Sequence, residues 1–219
     1  MRFINYFLYL AWHWNIPLAF FIVRHEIKGE KKYGIVTTGI DDLKATIPHV
    51  VRQHASIYQP INYFIANQLF DQTTYEDIQG ALLDLGCGKG RALAIAAAYG
   101  FKEIIGIDFS PVLCEAAETT AAIVTEKNKD VKIEINCVDA ANYVIPATVS
   151  TIFMFNPFDA LIMREVVKQI KKSQQLHPRS IKILYANPVC KDLFIEAGFI
   201  ETFHLKKLEY LEGSVLEQP

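Results

Sequence analysis

Short apolar runs alternate with longer segments of mixed character from about residue 80 onward. The apolar runs lie at residues 81–85, 103–108, 131–138, 150–155 and 180–186. Segments of helical length begin near Lys89, Pro111, Ala160 and Val189. Nearly continuous apolar runs of this length predict strands that are buried on both faces, as in a parallel sheet. The alternation therefore predicts an α/β domain in which helices cover both faces of a mostly parallel sheet.

The end of the chain follows a different pattern. Residues 198–216 are rich in β-prone residues, with no helical segment between them. This predicts an antiparallel pair of strands that closes the sheet, because antiparallel neighbours need only a short connection. Together with the five earlier runs, the pair predicts a Rossmann-like sheet of seven strands.

The first 32 residues form a separate hydrophobic unit. Residues 3–23 contain no Asp, Glu, Lys or Arg, and basic residues follow at Arg24, Lys28, Lys31 and Lys32. The apolar stretch is nearly long enough to span a bilayer, but Asn15-Ile16-Pro17 predicts a break between two short helices. Three alternatives stay open: helices packed on the domain as a lid, a surface contact with a membrane or a second copy, and a true anchor.

We predict two parts of the chain from these patterns. Residues 1–53 form the hydrophobic helical extension and a covering loop, and residues 54–219 form the main domain. A length of 219 residues with 51% hydrophobic content is enough for one substantial core. No cleavage site of small residues follows the apolar stretch, which argues against a secretory leader.

Charge and cysteine content narrow the partners and the compartment. A net charge of -2 gives no overall attraction to nucleic acid, so a protein or a small molecule is the preferred partner. The four cysteines show no short paired spacing, which is typical of ordinary thiols in a reducing, cytoplasmic compartment. The six histidines show no ligand spacing either, so we expect no metal.

The stretch LLDLGCGKGR at residues 82–91 predicts a strand, a tight turn and a helix. Ligands of open parallel sheets lie at the carboxyl ends of the strands, so Gly86, Gly88 and Gly90 are expected at the ligand. Glycines adopt backbone angles that other residues avoid and let the main chain approach a bulky group. Cys87 is expected in the turn as a small residue that fits.

Asp108 indicates that the ligand contains a nucleoside. It ends the second apolar run in IIGIDFS, where its two carboxylate oxygens can accept hydrogen bonds from both ribose hydroxyls. A dinucleotide fingerprint spaces its glycines G-x-G-x-x-G, whereas this chain has G-C-G-K-G. Asp108 suits both kinds of nucleoside, so a nicotinamide dinucleotide stays open at this point.

Four landmarks in order resemble the class I S-adenosylmethionine-dependent methyltransferases over roughly residues 54–216. They are DLGCGKG after the first strand, Asp108 after the second, Asp139 in CVDA after the third, and Asn156-Pro157-Phe158 after the fourth. The resemblance implies S-adenosylmethionine as cofactor and S-adenosylhomocysteine as product.

The same resemblance implies roles for individual residues. Asp84 and the backbone around Gly86 and Cys87 would hold the methionine end, and Gly88 would allow close approach. Asp108 would bind the ribose. Phe109 would pack on adenine, Asp139 would accept from the adenine amino group, and the Ala140 amide would point at a ring nitrogen.

Asn156-Pro157-Phe158 resembles a shortened form of the [N/D]-P-P-[F/Y/W] motif of methyltransferases that act on amino groups. In that motif the Asn side chain and a backbone carbonyl accept from the target N–H, and the aromatic ring lies near the methyl group. The second proline is missing here, which places Phe158 one position early. The alternative interpretation is an extended strand end followed by a fixed turn.

Two hypotheses on function follow. The first is a cytoplasmic methyltransferase whose acceptor is a nitrogen, of a protein lysine or another amine. The second is a cofactor-binding module without catalysis that acts in assembly or at a membrane surface through residues 3–23.

The segments at residues 29–43 and 54–64 resemble a poorly characterised group of bacterial methyltransferases. The glycine turn of that group is similar to the turn of the histone-lysine methyltransferases that lack a SET domain. The resemblance implies that Thr37, Thr38 and Tyr58 line the methionine side of the cofactor. The alternative is a capped surface turn.

Overall fold

The computed structural model describes residues 2–38 and 59–218, which contain a seven-stranded sheet. The strands are β1 Ala81–Leu85, β2 Glu103–Asp108, β3 Lys132–Cys137, β4 Val149–Phe155, β5 Lys182–Ala186, β6 Ile200–Lys207 and β7 Leu211–Glu217. Their order across the sheet is β3-β2-β1-β4-β5-β7-β6. Strands β1 to β5 run parallel, and β7 pairs antiparallel with both β5 and β6. The predicted Rossmann-like sheet and its closing antiparallel pair are confirmed.

Helices cover both faces of the sheet. They are α1 Arg2–His13, α2 Ile16–Tyr33, α3 Tyr63–Phe70, α4 Arg91–Tyr99, α5 Pro111–Lys127, α6 Ala160–Leu176 and α7 Lys191–Glu196. The last of these begins two residues later than the sequence predicts and is only six residues long. One core cluster packs α3 and α4 on one face of the sheet, and a second packs α6 and α7 on the other.

The topology places the site at the middle of the sheet. Strand β1 lies between β2 and β4, and Asp84 is paired in register with Gly106 on one side and Phe153 on the other. The strand order reverses direction at β1 and β4, because β2 and β3 lie to one side and β5 to the other. Ligands of such sheets bind at the carboxyl ends of the strands at this reversal.

The two amino-terminal helices pack on the domain. The predicted break is confirmed, because Asn15 caps α2 by accepting from the Leu18 N–H at 2.8 Å. Helix α2 is longer than the short helix that the sequence predicts and continues for 18 residues to Tyr33. Leu10 and Leu18 lie in the small core between the helices, against which Leu211 of β7 packs. Within residues 2–38 and 59–218, no helix is long and apolar enough to cross a bilayer.

The predicted boundary between residues 53 and 54 lies outside the described residues, as does Tyr58.

Candidate functional site

The glycine turn follows β1 and has the backbone that the sequence predicts. Gly86, Gly88 and Gly90 have φ angles of 78°, 54° and 80°. The N–H groups of Gly86 and Cys87 both donate to the Ile107 carbonyl at 2.9 Å. These two donors are therefore used inside the protein and tie the turn to β2.

At two of these glycines, other residues of the protein occupy the space next to where a side chain would lie. A Cβ on Gly86 would lie 2.6 Å from the Cβ of Pro157, and one on Gly90 would lie 3.3 Å from the Cβ of Thr120 on α5. The missing side chains of both glycines therefore also serve packing inside the protein, and their approach to a ligand stays a prediction. They allow the turn to pack against its neighbours, and Pro157 is held directly against it.

Cys87 is buried in the turn, and burial together with the carboxylates of Asp84 and Asp108 raises the pKa of its thiol. It is therefore a neutral thiol that fills space, as the sequence predicts.

Asp108 links the end of β2 to the turn. Its Oδ2 accepts from the Gly88 N–H at 3.0 Å, and its Oδ1 accepts from the Ser110 N–H at 3.0 Å. Burial raises the pKa of Asp108, and these N–H donors act in the opposite direction. Each carboxylate oxygen can accept a further hydrogen bond. Asp108 can therefore hold the turn and two hydroxyl groups of a ligand at once.

Asp84 is the most unusual group at this edge of the sheet. It is only 2% exposed, and burial and the nearby Asp108 carboxylate raise its pKa well above the usual range. No hydrogen bond or ion pair to it is found within the described ranges 2–38 and 59–218. A buried carboxylate without a donor is costly. The site therefore has an unmet preference for a positively charged or hydrogen-bond-donating group.

Asp139 lies beyond the end of β3 and is exposed. Its carboxylate caps a short 3-10 turn, accepting from the Ala141 N–H at 2.9 Å and from the Asn142 side chain at 3.3 Å. Ala140 is buried in this turn, and Phe109 is half-buried next to Asp108. Asp139 therefore stands at the predicted edge, with part of its acceptor capacity used locally.

Asn156 follows β4 and has a φ of 34°, in the region that residues other than glycine rarely adopt. Its Oδ1 accepts from the Tyr185 hydroxyl at 3.5 Å, and that hydroxyl accepts from the Cys190 N–H at 3.2 Å. Burial raises the pKa of Tyr185, so the phenol keeps its proton. Tyr185 therefore helps to orient Asn156.

The three residues predicted as catalytic have different surroundings. Asn156 lies at the strand end, Pro157 lies against Gly86, and Phe158 is half-buried against the second core cluster on the α6 and α7 face. The sequence did not identify Tyr185. The one feature that could have indicated it is a hydroxyl group in a fully buried strand, because such a group needs a hydrogen-bond partner.

A second group missed by the sequence is the Arg91 cluster, which consists of Arg91, Glu26, Thr37, Thr38 and Tyr63. The Arg91 guanidinium lies 2.7 Å from a Glu26 carboxylate oxygen, and both side chains are buried. Arg91 also donates to the Thr37 hydroxyl at 2.7 Å and lies 4.0 Å above the Tyr63 ring centre. The Thr38 hydroxyl donates to Glu26 at 2.8 Å.

The Arg91 cluster joins the helix after the glycine turn to helix α2. Its threonines were expected to line the methionine side of the cofactor. The structure places both hydroxyls among the buried partners of Arg91 and Glu26, and their place near the cofactor stays a prediction. No local sequence signal identifies this pair, because 65 residues separate its two charges.

A cavity of about 200 Å³ lies at the carboxyl ends of β4 and β5, next to Phe155, the residue before Asn156. Phe155 and Asn187 line it from the sheet. Its roof comes from α1 and α2, with mostly apolar side chains at Tyr6, Leu10, Trp14, Leu18 and Ile22. The Nδ2 group of Asn62 also lies in its wall and is buried, with no hydrogen-bond partner among the described residues.

The part of the chain that the structure describes contains no group of three or more His, Cys, Asp or Glu side chains that could hold a metal ion.

Comparison with known proteins identifies the middle of the chain. Residues 82–176 match the family model described as "Methyltransferase domain". No curated protein sequence matches this chain.

Solved structures with the same fold include three enzymes. The ribosomal protein L11 methylase from Lactobacillus delbrueckii subsp. bulgaricus has a TM-score of 0.55 at 19% identity, covering 70% of this chain and 76% of its own. An RNA methyltransferase from Salinibacter ruber in complex with S-adenosyl-L-homocysteine has a TM-score of 0.53 at 15% identity, covering 73% and 94%. Magnesium protoporphyrin IX methyltransferase from Synechocystis PCC 6803 with bound SAM has a TM-score of 0.51 at 16% identity, covering 87% and 89%.

Proposed function

We propose that the protein is a class I, S-adenosylmethionine-dependent methyltransferase that transfers the methyl group to a nitrogen acceptor, on the basis of the match of residues 82–176 to a methyltransferase domain and of the sheet order. The observation that carries the proposal is the buried Asp84 carboxylate beside Asp108 at the glycine turn. S-adenosylmethionine brings an ammonium and a sulfonium group. Its positive charge matches the preference of this site.

The same observation disfavours a nicotinamide dinucleotide. A dinucleotide places its pyrophosphate at the glycine turn, where free N–H groups must receive negative charge. Here the N–H groups of Gly86 and Cys87 already donate to Ile107. The pyrophosphate would also approach Asp84 and Asp108, so like charges would repel.

The described residues fit S-adenosylmethionine in three places. Asp84 would accept from the ammonium group of the methionine end, and Asp108 would accept from the ribose hydroxyls with the lone pairs that Gly88 and Ser110 leave open. Asp139, with Ala140, stands where the adenine would lie, and Phe109 would pack on the ring. Cys87 and Gly88 supply the main chain between these ends. Tyr58 stays a prediction for the methionine side.

Asn156 is the group that we place at the acceptor. When bound, the cofactor supplies an activated methyl group. The acceptor nitrogen would supply the lone pair for the new N–C bond, the electron pair of the broken S–C bond would stay on the sulfur of S-adenosylhomocysteine, and the proton lost by the nitrogen would pass to water. Asn156 accepts from the acceptor N–H and so directs the lone pair, while Tyr185 holds its side chain. Catalysis of this kind is mainly positioning.

The cavity next to Phe155, one residue before Asn156, favours a small amine with an apolar body. A dry cavity of roughly 150 Å³ holds a benzene ring, so about 200 Å³ holds one ring or a short chain. Since α1 and α2 form the roof, a small acceptor suits the cavity better than a folded protein does, although a lysine side chain has a comparable volume.

The test uses methyl-labelled S-adenosylmethionine and a cell extract, with separate counting of the small-molecule, protein, lipid and nucleic-acid fractions. The Asp108→Ala and Asp84→Asn variants serve as blanks, and calorimetry compares S-adenosylhomocysteine with NAD. We expect label in the small-molecule fraction and binding of S-adenosylhomocysteine alone. Label in protein that amino-acid analysis finds as methyllysine would identify a lysine acceptor. Tight binding without label above the blanks would contradict catalysis and support the binding-module alternative.

A further inference from the structure

The outer face of the amino-terminal helices carries a row of exposed apolar side chains, which we call the outer stripe. It consists of Ile4, Leu8 and Trp12 on α1 and Ile16 and Phe20 on α2. The residues follow a spacing of four, which places neighbours on one side of each helix. Each side chain is more than half exposed, and Trp12 is 87% exposed. An apolar surface of this kind marks an interaction site.

The outer stripe is not the side of the helices that packs on the rest of the protein. Leu10 and Leu18 point inward to the core of the helix pair, and Tyr6 and Trp14 line the cavity. The pair is therefore apolar on two sides, of which one is already covered by the domain. The other side needs a separate explanation.

The charges around the outer stripe have one sign. Helix α2 carries exposed basic side chains at Arg24, Lys28, Lys31 and Lys32. The acidic residues of the same helix are buried, because Glu26 pairs with Arg91 and Glu30 pairs with Arg2. The exposed charged side chains of α2 are therefore all basic, in a chain with a net charge of -2.

The ion pair between Arg2 and Glu30 also fixes the position of the outer stripe relative to the basic side chains of α2. It brings the beginning of α1 beside the basic end of α2. The exposed lysines therefore flank the outer stripe on the same helix pair.

We propose that the outer stripe docks on an anionic lipid surface, with its apolar side chains at the headgroup level and the basic end of α2 on the lipid phosphates. An amphipathic helix pair with an apolar face and a basic flank binds in this way. Tryptophan suits the position because its ring is apolar and its N–H remains able to meet a polar group. The features that support docking do not depend on the methyl transfer proposed above.

The charges favour lipid over a second copy of the chain. Two copies that meet through this face about a two-fold axis would bring Arg24, Lys28 and Lys31 towards the same residues of the other copy. Like charges across a contact oppose association. An anionic membrane instead meets both the apolar and the basic part with complementary chemistry.

The test is co-sedimentation of the full chain with phosphatidylcholine vesicles, with and without added phosphatidylglycerol. We expect binding to the mixed vesicles only, weaker at high salt, with a blue shift of tryptophan fluorescence. The Lys28→Glu and Lys31→Glu double variant should partition about 30-fold or more less, because each basic residue near an anionic surface contributes about fivefold. The Trp12→Asp variant should also lose binding.

Matched controls lie on α6, which covers the other face of the sheet. The Lys168→Glu and Lys172→Glu pair makes the same charge change, and Leu176→Asp replaces another exposed apolar side chain. Both controls should bind vesicles as the unaltered chain does, and all variants should keep S-adenosylhomocysteine binding and far-ultraviolet circular dichroism as checks of folding.

Three results would overturn the proposal. One is equal binding to neutral and mixed vesicles. Another is no binding to either. The third is a dimer in light scattering that Trp12→Asp dissociates while vesicles have no effect, which would assign the outer stripe to a second copy.

Discussion

Replacement of Asp84 by Asn should make the ligand-free protein more stable and at the same time abolish cofactor binding. The carboxylate is buried, has no hydrogen-bond partner within the described ranges and lies near Asp108, so its charge is unfavourable in the empty site. The amide has nearly the same shape without the charge. It also loses the attraction for an ammonium group, on which we propose that binding depends.

The expected magnitude follows from the burial of the charge. Leaving a buried polar group unsatisfied costs about 1–3 kcal/mol, and more if the group is charged. Because the amide still lacks partners, we expect a net gain of about 2 kcal/mol in the free energy of unfolding. For a chain of this size that gain corresponds to a rise in Tm of about 4–8 °C.

The gain should depend on pH in a definite direction. The pKa of Asp84 is raised in the folded state, so the folded state binds more protons than the unfolded state. The stability of the unaltered protein from this group is therefore fully present below the unfolded pKa of about 3.9 and falls as the pH rises through the folded pKa. The advantage of Asp84→Asn should be present at neutral pH and vanish towards pH values of about 4.

Thermal unfolding with and without S-adenosylhomocysteine is the assay. At about one hundred times its Kd the ligand should add about 2.7 kcal/mol to the unaltered protein, and nothing to Asp84→Asn. Asp130→Asn, which changes an exposed carboxylate before β3, is the control and should alter neither value. A variant that is less stable than the original and still binds the ligand would refute the reasoning.

Three further predictions concern other parts of the molecule. Arg91→Leu should cost about 3–5 kcal/mol in urea unfolding, because it leaves Glu26 buried without its partner. Gly29→Ala should also destabilise, by about 1–3 kcal/mol, because the new Cβ would lie 2.2 Å from the Tyr63 ring; alanine is otherwise favoured in a helix by about 1 kcal/mol. Asn156→Ala should leave S-adenosylhomocysteine affinity unchanged in calorimetry and lower turnover by about 10²-fold in the label assay.

Each of these has its own check. Adding Glu26→Gln to Arg91→Leu should restore part of the lost stability, and additive effects in this double-mutant cycle would contradict the buried pair. In a Tyr63→Ala background, Gly29→Ala should become stabilising, and continued destabilisation there would argue against the steric cause. Equal turnover in Asn156→Ala would reduce Asn156 to a turn residue.

The sequence predicts the sheet and the place of the site because both depend on local patterns. Apolar runs at regular intervals identify β1 to β5, and the rule that ligands lie at carboxyl strand ends brings the glycine turn and Asp108 together. The positive φ angles of the glycines follow from residue type alone.

The sequence could not predict which residues contact each other in the folded protein. Gly86 contacts Pro157, and Arg91 pairs with Glu26. The members of each pair are far apart along the chain, so no local pattern indicates these contacts. The acids of α2 alternate with its lysines in the sequence and give no sign that one set is buried and the other exposed. Contacts of this kind depend on packing rather than on periodicity.

Arg91 connects the glycine turn to helix α2, so a change at one of them can affect the other. It is the first residue after Gly90, and its guanidinium is held by Glu26 of α2. Thermodynamic reciprocity then applies: if a lipid surface on α2 changes cofactor affinity by some factor, the cofactor changes lipid affinity by the same factor. Vesicle partitioning measured with and without S-adenosylhomocysteine therefore measures this factor through the change in lipid affinity. The measurement does not require the methyl acceptor to be known.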